Sequence, residues 1–292
     1  CRSGAPRSGC RRTGRWTESF WLDGGLPYTV ESEAENHMSR RNTALKVGQR
    51  ILLLMVAATT ALGEPVAAGD SSREQAIKIV VQIQRADYEG NRSALKRLHE
   101  ELAAFVEDKA LGARVQYWRG FALWRRAVNG FNDKVDPAEM KDDMQQALGD
   151  FDDAARKDPT FVDAKIGALS CLGFLAFSDP QQDRESPRVQ ELIARGRQLR
   201  KDVEAAAPEN PRFFWVMGPM IWYSSPERGG GQEKAMASYE RGLQAIRSQR
   251  KATSDPLEPS WGEPELLMSL AWSNLNRTTP DLKAQSKRLI RR

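Results

Sequence analysis

Histidine and cysteine are scarce in this sequence, with two and three residues respectively in a chain of 292. Beyond residue 69 only His99 and Cys171 remain. One thiol cannot close an intrachain disulfide, so residues 70–292 must be held by their own core. Cys171 lies in the apolar run GALSCLGFLAF, the setting of a buried, inert thiol rather than a nucleophile. One histidine and one cysteine cannot supply a soft zinc site. A Ser-His-Asp arrangement would have to use His99, and no nucleophile-elbow sequence accompanies it. His99 stands in the charged stretch LKRLHEEL, where a solvated helix surface is expected. The acids Asp142, Asp143, Asp150, Asp152, Asp153 and Asp158 lack the compact spacing of a calcium loop and read as a solvated helix face. Alternation of the β type is missing at any useful length. No constellation for catalysis emerges, and no cofactor or metal is expected.

The composition, 40% hydrophobic and 28% charged, suits one or two globular domains. The net charge of +5 is unevenly spread. Residues 1–69 hold nine Lys/Arg and six Asp/Glu, which leaves 35 and 33 for the remainder. That near balance excludes a whole-domain field for nucleic acid. The basic end KAQSKRLIRR suits the C-terminal dipole of a helix.

The N-terminal part divides in two. Residues 1–37 are rich in Arg, Gly and Ser without periodicity and are expected to be an upstream extension. Residues 38–69 carry Arg40, Arg41, Lys46 and Arg50, then the 12-residue apolar run Ile51 to Leu62, then small residues. This order is that of a secretory signal peptide, with cleavage expected between about Ala61 and Asp70. The run is short of the roughly 20 residues of a comfortable membrane span. Membrane contact would therefore come only through an uncleaved signal, and the mature chain is expected in the periplasm or outside the cell.

From residue 70 onward the sequence is helical in pattern and repeats. The pairs Asp136-Pro137, Ser186-Pro187, Ser225-Pro226 and Thr279-Pro280 recur at intervals near 50 residues. Ser, Thr or Asp suits an N-cap and Pro the first helical turn, so each pair marks a helix start. Small and large residues recur at fixed offsets around them. Ala147, Phe151, Ala154 and Pro159 form one series, with Gly120 before it. Ala235, Tyr239 and Gly242 form another, with Gly218 before it. Ala271 stands as a further small position, and EQAIKIVVQIQRADYEG with NRSALKRLHEELAAF as a degenerate first pair. The middle unit matches weakly, with Leu169 at the small position and Arg200 where the aromatic belongs.

These residues resemble the tetratricopeptide repeat family. The resemblance implies an all-α array of about five helix–turn–helix pairs over residues 70–292, wound into a right-handed superhelix. It departs in length: the marks at Gly120, Leu169, Gly218 and Ala271 lie 49, 49 and 53 residues apart, against a family norm of about 34. The excess falls in NGFNDKVDP, SDPQQDRESP and SSPERGGG, between the helices of each pair. Gly229 to Gly231 therefore read as a bend. A phosphate loop would want a strand before the glycines and Lys-Ser/Thr after them, and Gln232-Glu233 follow instead.

Tryptophan is abundant, with eight residues, six of them beyond the leader. Some must fill helix seams. If Gly120 and Gly218 take the small position, the offsets place Tyr117, Phe121, Trp124 and Arg125, then Trp215, Trp222 and Tyr223, on the inner face implied by the family. Ala271 adds Met268 and Trp272. With Arg114 and Arg212 alongside, such a groove suits a ligand with apolar and acidic parts, an extended peptide or a carboxylate-bearing small molecule. Tight curling would instead make the same residues core. The function expected is a non-enzymatic exported interaction or scaffold protein with a peptide or protein partner. The alternative is an accessory subunit of a TRAP-type small-molecule uptake system, whose glycine-rich repeats this pattern loosely resembles.

Overall fold

The computed structural model describes residues 68–177, 183–249 and 255–277, and every regular element among them is helical. The helices are α1 (Ala68–Tyr88), α2 (Arg92–Glu101), α3 (Gly112–Gly130), α4 (Pro137–Lys157), α5 (Val162–Phe177), α6 (Pro187–Ala206), α7 (Pro211–Tyr223), α8 (Gln232–Gln249) and α9 (Glu263–Asn276). Short 3-10 turns follow α2 and α7, at Leu102–Phe105 and Pro226–Arg228. Residues 38–67 of the signal-like stretch, Thr279-Pro280 and the basic C-terminal end lie outside the described residues, and Ala68 and Gly69 open α1. No described helix is long and apolar enough to cross a membrane.

Local sequence accounts for the helix starts. The Asp136 carboxylate accepts from the Ala138 amide and Pro137 opens α4; Asn210 accepts from the Arg212 amide and Pro211 opens α7. Each pairing satisfies an amide that the helix itself cannot. Ser186-Pro187 opens α6. Ser225-Pro226 departs from expectation: it opens the 3-10 turn, and α8 begins only at Gln232. Between them Gly229 and Gly231 adopt φ of +83° and +116°. The amides of Gly229, Gly230 and Gly231 donate to the carbonyls of Pro226, Ser225 and Ile221, so the bend uses all three internally.

Sequential helices pack against one another from α1 to α6 and from α7 to α9, and the odd-numbered helices also touch in order, α1 on α3, α3 on α5, α5 on α7 and α7 on α9. The odd helices thus form one layer with the even helices behind it. Glycines let the layers close. Phe151 of α4 is fully buried between Gly120 of α3 and Gly167 of α5; a Cβ at those glycines would stand 3.0 and 2.5 Å from its ring. Tyr239 of α8 lies against Gly218 in the same way. The middle pair reverses the sizes: a Cβ at Gly196 of α6 would stand 3.8 Å from Leu169 of α5, and Arg200 is exposed and pairs with Glu204. The extra length per unit is mostly helix, since α3, α4 and α6 run to 19, 21 and 20 residues.

Two polar readings need correction. His99 is not a solvated surface residue; it is 9% exposed, and its Nε2 lies 2.9 Å from Asp150 Oδ2. Nor is the acidic face of α4 simply solvated. Asp143 and Asp150 are buried, the first against Arg126 and Arg92, the second against His99, Gln116 and Arg119. Asp152, Asp153 and Asp158 pair with Arg195, Arg156 and Arg114. Sequence spacing placed these acids on one helix, but their cations come mostly from other helices, so the partners were invisible in the local pattern. Cys171 is fully buried, and burial pushes its thiol pKa up.

Candidate functional site

Eight described residues directly precede α9. These, Asp255-Pro-Leu-Glu-Pro-Ser-Trp-Gly262, form no helix or strand and cross the layer of odd-numbered helices. This segment is termed the strap. It enters through a tight turn in which the Asp255 carboxylate accepts from the Leu257 amide at 2.9 Å. Leu257, Pro259 and Trp261 are then buried, while Ser260 stays exposed and Glu258 half-buried, the alternation of an extended chain lying on a surface.

The strap is held mainly by side chains of α1, α3 and α7. On α1, Arg73 pairs with Asp255 at 2.7 Å and Gln84 donates to Ser260 at 3.2 Å. On α3, Arg114 donates to Glu258 at 2.7 Å and the Trp118 indole to the Leu257 carbonyl at 2.8 Å. The Trp261 indole donates to the Tyr117 hydroxyl at 2.7 Å. Its rings stand 5.5, 5.5 and 5.7 Å from those of Phe121, Trp124 and Trp215, tilted or edge-on, a favourable aromatic geometry. From α7, Arg212 reaches the Trp261 carbonyl at 3.4 Å.

The residues singled out from the sequence therefore fall into two groups. Arg114, Tyr117, Phe121, Trp124, Arg125, Arg212 and Trp215 gather around or beneath the strap. The open groove expected along Tyr117, Phe121 and Trp124 is absent, because the strap covers the row and leaves each residue about 1% exposed. Trp222, Tyr223, Met268 and Trp272 lie apart from it, on α7 and α9. There Trp222 is also buried and stacks edge-on against Trp272 at 5.2 Å, and Tyr223 is 50% exposed. Ala271 is exposed on α9 rather than set into a helix seam. Sequence reasoning missed Trp118 and the strap itself. The buried-polar alternation of Leu257, Pro259 and Trp261 was the available signal.

Acids hold the arginines in place. Arg114 bonds Asp158 as well as Glu258, and Arg212 bonds Asp163 of α5. Arg125 donates to both Asp87 oxygens at 2.8 Å and lies 3.9 Å from Glu265 of α9. Burial works against the Arg125 charge, but Asp87 and Glu265 outweigh it and its pKa rises. Burial also raises the Glu265 pKa, against the opposing pull of Arg125. Glu265 Oε2 accepts from the Gly262 amide at 2.9 Å and so fixes the end of the strap to the start of α9.

No family model, curated protein or solved structure matches this chain. Function must therefore be argued from the residues. The arrangement can bind: it supplies cations, indole and guanidinium donors and an aromatic cage to an extended backbone.

Proposed function

We propose that this chain is an exported, non-enzymatic interaction protein of the tetratricopeptide type, which binds an extended segment of a protein partner across its layer of odd-numbered helices. The observation that carries the reading is the strap. Those helices already hold eight residues of unstructured chain by the means used for peptides: side-chain donors on main-chain carbonyls, and pockets for alternate side chains. Arg and aromatic residues dominate the contact, as they do at binding hot spots. The exported address rests on the charged, apolar and small-residue order of residues 38–69.

A photo-crosslinking amino acid in place of Gln84, which touches the strap at Ser260, tests the binding reading in intact producing cells. A discrete adduct with a second protein is expected. Adducts confined to residues 255–262 of the same chain would sink it. Sequencing the N-terminus of exported protein tests the address, which fails if Met38 is retained.

A further inference from the structure

Resting on that peptide-binding reading, we infer that the strap is a resident competitor and that the site beneath it takes a partner peptide with a carboxylate three residues before a tryptophan. The spacing is that of Glu258 and Trp261.

Three features point to an exchangeable occupant. First, the strap lies on α1, α3 and α7, three helices of which it joins none to the next. Second, much of the binding row is held without the strap. Arg114 keeps Asp158, Arg212 keeps Asp163, and Phe121 and Trp124 pack on each other at 5.9 Å. A site whose cations are positioned by their own acids is preorganised for a second ligand. Third, recognition separates into a general and a specific part. Trp118 and Arg212 contact main-chain carbonyls, which any peptide offers. Arg114 selects the acid; the cage of Phe121, Trp124 and Trp215, with Tyr117 as hydrogen-bond acceptor, selects an indole over a phenyl ring.

A tethered occupant acts at an effective concentration on the order of millimolar, so a free peptide competes poorly until the strap is weakened. The probe is a fluorescent synthetic peptide of the strap sequence, Asp-Pro-Leu-Glu-Pro-Ser-Trp-Gly, added to the full chain and followed by anisotropy. Trp261→Ala in the protein is expected to tighten peptide binding at least tenfold over wild type and to let the peptide raise the melting temperature. Replacing the peptide's tryptophan by alanine should remove both effects. Replacing its glutamate by lysine should weaken binding, and Arg114→Glu should restore it. If circular dichroism shows Trp261→Ala unfolded, Glu258→Lys weakens the strap by charge repulsion instead.

A folded, strap-weakened protein with no gain in affinity overturns the inference, as does binding indifferent to the acid and the indole. Concentration-dependent dimers without affinity for free peptide overturn it too, since the occupant would then be a second copy's strap. A cellular crosslink to a partner segment lacking this pattern would remove the inference while leaving the interaction reading standing.

Discussion

Trp261 donates its indole N–H to the Tyr117 hydroxyl, joining residues 144 positions apart, while the rings of Phe121, Trp124 and Trp215 enclose the indole. Neither group has access to water, so each depends on the other. Tyr117→Phe strands a buried donor and is expected to cost about 1–3 kcal/mol. Trp261→Phe made on top of it should cost less than the same change in wild type, because the stranded donor goes with it. A double-mutant cycle by denaturant titration checks this, and strictly additive values would argue against the bond.

Glycine content should act with opposite signs at two helical positions. A methyl on Gly218 would stand 2.0 Å from the Tyr239 ring, and Gly218→Ala is expected to cost about 1–3 kcal/mol through overpacking. Gly149, exposed on α4, has nothing within 4 Å of its Cβ position, and Gly149→Ala should stabilise by up to about 1 kcal/mol. A Gly218→Ala melting temperature at or above wild type would mean that the α7–α8 packing is wrong, and a lowered one for Gly149→Ala that its helix position is not open.

The exit from the strap is conformationally special. Gly262 adopts φ of +125°, a region that L side chains rarely enter. Gly262→Ala should destabilise by roughly 1–3 kcal/mol. The loss should appear together with faster hydrogen exchange at the amides of α9, whose first turn is set by this residue. A neutral outcome would show that the turn tolerates a different backbone path.

Glu265 sets a pH dependence with a defined sign. Its pKa is raised by burial, so ionised Glu265 is a liability in the folded state. That liability is fully present above the folded pKa. It is relieved as pH falls through that value and is gone below the ordinary 4.5. The groups facing it are Arg125, Asp87 and Tyr88. Stability of wild type relative to Glu265→Gln should therefore improve as pH drops from 7 towards 4.5. A difference that stays flat or worsens over that interval excludes the assignment.

Much of the array was legible because its signals are local. Asp136-Pro137 caps α4 within two residues of itself, and Phe151 shares that helix with Ala147 and Ala154. Gly120 and Gly218 were recognisable as small positions, since each is followed by a helix that sets a small residue four before an aromatic one, Ala147 before Phe151 and Ala235 before Tyr239. The aromatic row was legible in position but not in availability. Tyr117 and Trp124 sit at offsets fixed by helix geometry, whereas what covers them arrives from residues 255–262, far along the chain. His99 was misread for the same reason. Its flanking charges suggest solvent, and the acid that buries it belongs to α4, 51 residues away.

The strap also sets a timetable. Most packing in this chain is between helices close in sequence and can form as each emerges from the ribosome. The covering of Trp118 cannot, since Leu257 is made 139 residues later. At roughly 5–20 residues per second, the aromatic row of α3 stays bare for on the order of ten to thirty seconds after its synthesis. A nascent chain in that interval displays the same donors and rings that the finished protein conceals. Its first opportunity to meet another polypeptide thus comes before its own strap exists.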